Sequence, residues 1–329
     1  MLKIAMLSRW HVHAEGYAHE LKTGNDVQLT VVWDEEPQKG KEFADKFNVD
    51  FEPDLDKLLS RDDVDAVCIN APTNIHPEVI IKSANAKKHI FTEKVLCLTN
   101  KEASLIRDTV NESGVKFCIS FPHRTFPHNL FAKKVVEDGL LGSVNYMRVR
   151  NAHNGASAGW LPQHFYDEVQ CGGGAMIDLG AHPMYLIPWI MGKPVEVSSA
   201  FTNVTGHNVE DNAVTVMKYK NGAIAVSETG FITGYSPYML ELYGTDGSLV
   251  ISGGDIKLIS SEINRKNGAY GGWITPDQLP QALPSPIMQF VEGILYGKEI
   301  IFDIDEAVIL TEMMDAAYRS HKQGTFVKL

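Results

Sequence analysis

Along the first 120 positions the hydrophobic residues fall into short, β-branched runs separated by stretches of helical spacing. Leu2–Leu7 reads as a strand followed by a helix through Leu21. Val27–Trp33, preceded by the turn residues Gly24-Asn25-Asp26, reads as a second strand. Pro37 suits the first turn of a helix that runs to about Phe47. Val64–Ile69, His89–Thr92 and Val115–Ser120 are three further apolar strands, with helices near 77–86 and 100–112. Alternation at this spacing predicts right-handed crossovers and a doubly wound parallel sheet over residues 1–121.

The pattern changes after Phe121-Pro122-His123-Arg124. One helix (127–138), a strand (Val144–Arg150) and a loop lead to the Gly172-Gly173-Gly174 run and an apolar stretch read as a helix. Successive β-like runs follow at 195–204, 212–219, 222–232, 238–243 and 247–251. Asn221-Gly222 and Asp246-Gly247 between alternating runs are hairpin signals. Residues 122–329 are therefore expected to form an α+β domain with a large, mostly antiparallel open sheet covered on one face by helices. Two helices near 285–296 and 305–321 close the chain, free to pack back on the first domain. The expected fold class is α/β.

Composition narrows the partners. With 30 basic and 41 acidic residues the net charge is −11, so no long-range field favours nucleic acid or an anionic membrane. No run approaches the roughly 20 apolar residues of a membrane span. The opening segment MLKIAMLSRWHVHAEGY lacks a signal-peptide pattern. Cys68, Cys97, Cys118 and Cys171 form no CxxC pair and read as buried, reduced thiols of a cytoplasmic protein.

Candidate chemistry sits at the predicted strand ends. The turn after the first strand is Ser8-Arg9-Trp10-His11-Val12-His13, with none of the glycines of a dinucleotide fingerprint. It reads either as an ordinary connection or as a phosphate turn in which Ser8, Arg9, Trp10, His11 and the helix amides do the binding. Asp34, about 20 residues farther on, is placed for an adenosine ribose. With Glu35 and Glu36 it would repel a 2′-phosphate, favouring NAD(H) over NADP(H); the plainer reading is a solvated acidic turn. Pro72, Thr73, Asn74 and His76 follow the third strand, and Glu93 and Lys94 the fourth. A lysine there is either solvated or catalytic. Asp178 and His182, four apart in what reads as one helix, share a face and form either an acid–base pair or a self-satisfied structural one. Arg124, Trp160 and His164 are candidate substrate-pocket residues. His11 and His13 alternate but have no third ligand at suitable spacing, so no metal site is expected.

Taken together, Pro72-Thr73-Asn74-Ile75-His76, Lys88–Lys94, Gly172–His182, Val209–Ala213, Glu241–Thr245 and Ala317–Ser320 resemble segments of the Gfo/Idh/MocA oxidoreductase family. That family includes glucose–fructose oxidoreductase and inositol dehydrogenase. The resemblance implies a Rossmann domain, a C-terminal α/β domain often used to form dimers or tetramers, and NAD(H)-dependent oxidation of a sugar, polyol or inositol. It implies Lys94, Asp178 and His182 as the catalytic set. His182 would take the hydroxyl proton, Asp178 would orient the imidazole or bind a neighbouring hydroxyl, and Lys94 would hold the reacting oxygen. A non-catalytic NAD-sensing protein and an NAD-dependent glycosidase remain as alternatives. Two positions depart from the family pattern: the glycine-free turn, and Val95 in place of proline.

Overall fold

The computed structural model describes residues 1–266 and 272–329 and divides into two units. The first comprises Met1–Phe121 with Pro284–Thr311, and the second Pro122–Leu283 with Glu312–Leu329.

The sheet of the first unit is built from β1 (Leu2–Leu7), β2 (Val27–Trp33), β3 (Asp50–Phe51), β4 (Ala66–Ile69), β5 (His89–Thr92) and β6 (Phe117–Ile119). Their order is β3-β2-β1-β4-β5-β6, parallel throughout. Being covered on both faces, β1 and β4 are almost wholly buried, which is why they read as unbroken apolar runs. The crossovers are α1 (Ala14–Thr23), α2 (Pro37–Phe47), α3 (Leu55–Leu59), α4 (His76–Asn85) and α5 (Asn100–Ser113). Thr99 and Glu102 close a capping box on α5, and Asp54 caps α3. The short β3 and α3 carry too few residues to show a period and were not legible.

The second unit begins with α6 (Pro127–Glu137), β7 (Val144–Ala152), α7 (Glu168–Cys171) and α8 (Ala181–Met191). There follow β8 (Glu196–Thr202), β9 (Asn212–Lys218), β10 (Ile224–Gly230), β11 (Met239–Gly244), β12 (Gly247–Ser252), β13 (Asp255–Ser260) and α9 (Ser261–Lys266). With β14 (Val327–Lys328) the strands form one eight-stranded sheet, β13-β12-β11-β7-β10-β9-β8-β14, antiparallel except where β7 meets β10. Both predicted hairpins are present, joining β9 to β10 and β11 to β12, and Gly222 takes φ +88° in the first. Helix α8 packs on β7 and β10. On the opposite face Val214, Val216 and Val226 are half-buried and Ile224 is exposed.

Helix α10 (Pro286–Leu295) lies in the first unit, where it meets β6 and sets Phe290 against Phe91. The final helix α11 (Ile304–Gln323) contributes its residues through Thr311 to the first unit and those from Glu312 to the second. Among the described residues no helix is long and apolar enough to cross a membrane. All four cysteines are free and buried.

Candidate active site

In the first unit the turns after β1, β2, β4 and β5 all leave the carboxyl edge of the sheet, where open parallel sheets bind ligands. Ser8 takes φ +71°, the left-handed region that glycine enters without penalty. Its hydroxyl accepts from the Trp10 N–H at 3.1 Å. The glycine-free turn thus keeps a glycine-like bend at its first position.

Asp34 is buried, 2% exposed, because it ties this turn to β2. Its carboxylate accepts the Arg9 N–H at 3.0 Å and the Glu36 N–H at 2.8 Å. The His11 N–H goes to the Asn70 carbonyl (3.0 Å) and the His13 N–H to His11 Nδ1 (3.3 Å). Four amides of the turn are therefore satisfied within the protein. The Arg9 side chain is exposed at the amino end of α1, where the Ala14 N–H bonds the His11 carbonyl (3.0 Å). Burial raises the Asp34 carboxyl despite its two amide donors. Burial, then the Asp34 charge, pushes Glu35 up to about 7, with a hydrogen bond from Ser8 opposing.

After β4, Pro72 leads into a single 3-10 turn, Thr73–Ile75, with Thr73 buried and Asn74 exposed. His76 spends both ring nitrogens inside the unit, Nδ1 on the Val95 carbonyl (2.8 Å) and Nε2 on the Ala71 carbonyl (2.9 Å). Burial lowers its pKa against those two acceptors. His76 thus links the β4 and β5 loops, lying between the Ala71 and Val95 carbonyls.

Glu93 and Lys94 end β5 and are buried, and the Lys94–Val95 peptide bond is cis. The Glu93 carboxylate meets His13 Nδ1 at 2.8 Å and accepts the Tyr17 hydroxyl, while the Lys94 N–H donates to its other oxygen at 3.1 Å. Tyr17 is in turn hydrogen-bonded to Ser120 Oγ at 2.7 Å. Burial acts to raise the Glu93 carboxyl, but the His11 and His13 imidazoles and the Lys94 charge overturn it and leave it well below the usual carboxylate range.

In the second unit, the segment read as one helix from Gly174 does not form one. Residues 174–180 are a chain of turns, with the Asp178 N–H bonded to Gly174 O (3.1 Å) and the Gly180 N–H to Ala175 O (2.9 Å). Helix α8 starts only at Ala181, so Asp178 stands before it and His182 in its first turn. Glu210 fastens this segment: its carboxylate accepts the Gly174 and Met176 N–H groups (both 2.9 Å) and the Tyr318 hydroxyl (2.7 Å). Its carbonyl also takes the Ala175 N–H at 2.8 Å. A Cβ at Gly174 would strike that carbonyl, so the close approach requires glycine there.

His182 Nδ1 shares a 2.8 Å hydrogen bond with the Tyr185 hydroxyl, which also accepts the His123 N–H at 3.1 Å. The His182 ring stacks on His123 with centroids 4.0 Å apart and planes 13° from parallel. The Tyr185 oxygen has two lone pairs, so it can accept both N–H groups. Asp178 exerts its charge on His153, where it opposes the lowering of that imidazole's pKa by burial.

The three pocket candidates are placed differently from one another. Arg124 is buried, its guanidinium over the Trp189 ring at 5.0 Å. Trp160 is exposed, packs on His153 at 4.6 Å and donates to Asn154 Oδ1 at 3.3 Å. His164 is half-buried against Phe165. Tyr185, Tyr17 and Ser120 were not singled out as site residues, and Glu210 and Tyr318 entered only within the family-like segments Val209–Ala213 and Ala317–Ser320. Tyr185 also carried a local signal, three residues past His182 in a helix and hence on its face.

Two family models match the chain. "Oxidoreductase family, NAD-binding Rossmann fold" covers residues 11–121, and "GFO/IDH/MocA C-terminal domain" covers residues 130–250. The chain is 28% identical to scyllo-inositol 2-dehydrogenase (NAD(+)) of Bacillus subtilis (strain 168), over 95% of this chain and 93% of that one. It is 26% identical to 2,7-anhydro-N-acetylneuraminate hydratase of Mediterraneibacter gnavus, over 85% and 82%. The fold matches that of levoglucosan dehydrogenase solved with NADH and L-sorbose, with a TM-score of 0.86 at 19% identity over 100% of this chain and 98% of that one.

Proposed function

The chain belongs to the Gfo/Idh/MocA oxidoreductase family, and from that premise we propose that it is an NAD(H)-dependent dehydrogenase of a sugar, polyol or inositol. The observation that carries the reading is the turn after β1. Without one glycine of the fingerprint, it still bends at Ser8 with φ +71° and presents Arg9 to solvent at the amino end of α1. The bound dinucleotide supplies the hydride acceptor or donor. Arg9, with the α1 amides, holds the pyrophosphate; the Asp34–Glu36 acids disfavour a 2′-phosphate and so prefer NAD(H) over NADP(H). His182, held through Nδ1 by Tyr185, takes the hydroxyl proton on Nε2. Lys94 stabilises negative charge on the reacting oxygen, and Asp178 binds a neighbouring hydroxyl.

Titration calorimetry with NAD, NADH and NADP, followed by a polyol and aldose panel with His182→Ala as control, tests the proposal. Binding of NAD(H) and NADH production lost in the variant are the expected results. NADP binding as tight as NAD would overturn the cofactor preference, and no dinucleotide binding would overturn the dehydrogenase. A relative named as a hydratase favours one second reading, elimination or hydration of a sugar with no net redox change. Product formation without NADH accumulation would identify it. The half-buried valines of β9 and β10 support a homodimer or homotetramer through that face, measurable by light scattering. The four buried thiols suit a reducing cytoplasm.

A further inference from the structure

Two histidines spaced like metal ligands in the β1–α1 turn lack a third partner in sequence, and the fold supplies one from 80 residues away. Glu93 Oε1, at the end of β5, lies 2.8 Å from His13 Nδ1 and 3.8 Å from His11 Nδ1. All three potential ligand atoms fall within 4.8 Å of one another. We propose that His11, His13 and Glu93 form a binding site for a divalent first-row transition metal, with zinc or cobalt as the class of occupant. The site shares the β1–α1 turn with Arg9, and its test needs no dinucleotide.

Four arguments carry it. A tetrahedral ion with bonds of about 2.0–2.1 Å sets its ligands roughly 3.4 Å apart, and the two measured separations straddle that distance. Two imidazoles and one carboxylate form a donor set that suits zinc or cobalt and not the oxygen-seeking magnesium or calcium. The carboxylate is held by the Lys94 N–H on Oε2 and by the Tyr17 hydroxyl on Oε1 itself, and Tyr17 is in turn anchored on Ser120, the outer support that metal ligands require. Finally, Glu93 and His11 are buried while the His13 side chain is 43% exposed, so an ion held on the three groups keeps one side open to water or to an exogenous ligand. Three protein ligands with an open fourth position is the arrangement of a reactive rather than a purely structural site.

The His13 N–H now bonded to His11 Nδ1 at 3.3 Å is the contact that an ion must replace. A bond that long is weak, so the exchange costs little. The ion would also take the place of the proton shared between His13 and Glu93. Uptake therefore releases protons and strengthens as pH rises.

The experiment uses the full-length, tag-free protein, stripped with a chelator and free of dinucleotide. Cobalt(II) is added while the visible ligand-field bands are recorded, and zinc(II) affinity is measured by competition with a chromophoric chelator. Stoichiometric uptake with the intense bands of low-coordinate cobalt is expected. His13→Gln, at a half-exposed position that tolerates the change, should weaken zinc binding by on the order of 10–100-fold, as should His11→Gln. His19→Gln, an exposed histidine on α1, should leave it unchanged. Failure to bind either ion, or binding that survives both His11→Gln and His13→Gln, overturns the site. Because no dinucleotide or sugar is present, neither result depends on whether the chain is a dehydrogenase.

Discussion

Glu35 offers a direct test of how the β2 end is built. The carboxyl sits between Asp34 and Glu36, partly covered, with Oε2 buried and without a hydrogen-bond partner. Burial and the Asp34 charge push its pKa from 4.5 to about 7. The folded chain therefore keeps a proton on Glu35 that the unfolded chain releases near its ordinary value. Between those two values the native state binds more protons, so stability is fully present below about pH 4.5 and is lost as pH rises through 7. The shift corresponds to roughly 3 kcal/mol as a ceiling, and solvent reaching one side of the group brings the expected value to about 2 kcal/mol.

Glu35→Gln keeps the shape and removes the ionisation. Urea unfolding of both proteins at several pH values between 4.5 and 8.5 measures the difference. Near pH 4.5 the two should be about equally stable, and near pH 8 the variant should be ahead by about 2 kcal/mol. Parallel pH profiles would refute the reasoning, because they would mean that Glu35 ionises in the folded protein as it does in the unfolded chain.

The remaining predictions concern the second unit and α1. Tyr185→Phe removes the partner of His182 Nδ1 while the stack on His123 stays. It should lower kcat roughly fivefold, for about 1 kcal/mol, and displace the pH–rate profile with little change in KM; an unaltered profile would deny Tyr185 a positioning role. Gly174→Ala drives a Cβ into the Glu210 carbonyl and should lower stability by about 1–3 kcal/mol in denaturant unfolding. Gly16→Ala, in α1 with open space around the new Cβ, should instead raise it by about 0.5–1 kcal/mol.

Legibility followed the number of residues that report on each feature. The four longer strands of the first unit, largely buried, announce themselves as mainly apolar runs, and the two hairpins of the second by Asn-Gly and Asp-Gly. The 174–180 segment misled because its composition is apolar and its Asp–His spacing is helical. Glu210, some 30 residues later, fastens the segment by accepting the Gly174 and Met176 amides, a contact that no local pattern reports. The same distance effect hid the third member of the His11–His13 cluster. Local periodicity sees a few residues on either side, whereas parallel strands bring the ends of β1 and β5 to one edge with 80 residues between them.

The departures from the family pattern then take on a physical meaning that the sequence could not supply. A serine in the left-handed region costs on the order of 1 kcal/mol relative to glycine, and here the strain is offset by the Ser8 hydroxyl bonding the Trp10 N–H and by Asp34 bonding the Arg9 N–H. Those bonds hold the turn rigid but consume amides that a glycine-rich loop leaves open for phosphate. On the proposed reading the exposed Arg9 side chain is the compensation, trading oriented backbone dipoles for one full charge. Dinucleotide affinity in this chain should accordingly fall more steeply with salt than in a relative with the glycine loop, because a solvent-facing charge is screened where buried amides are not.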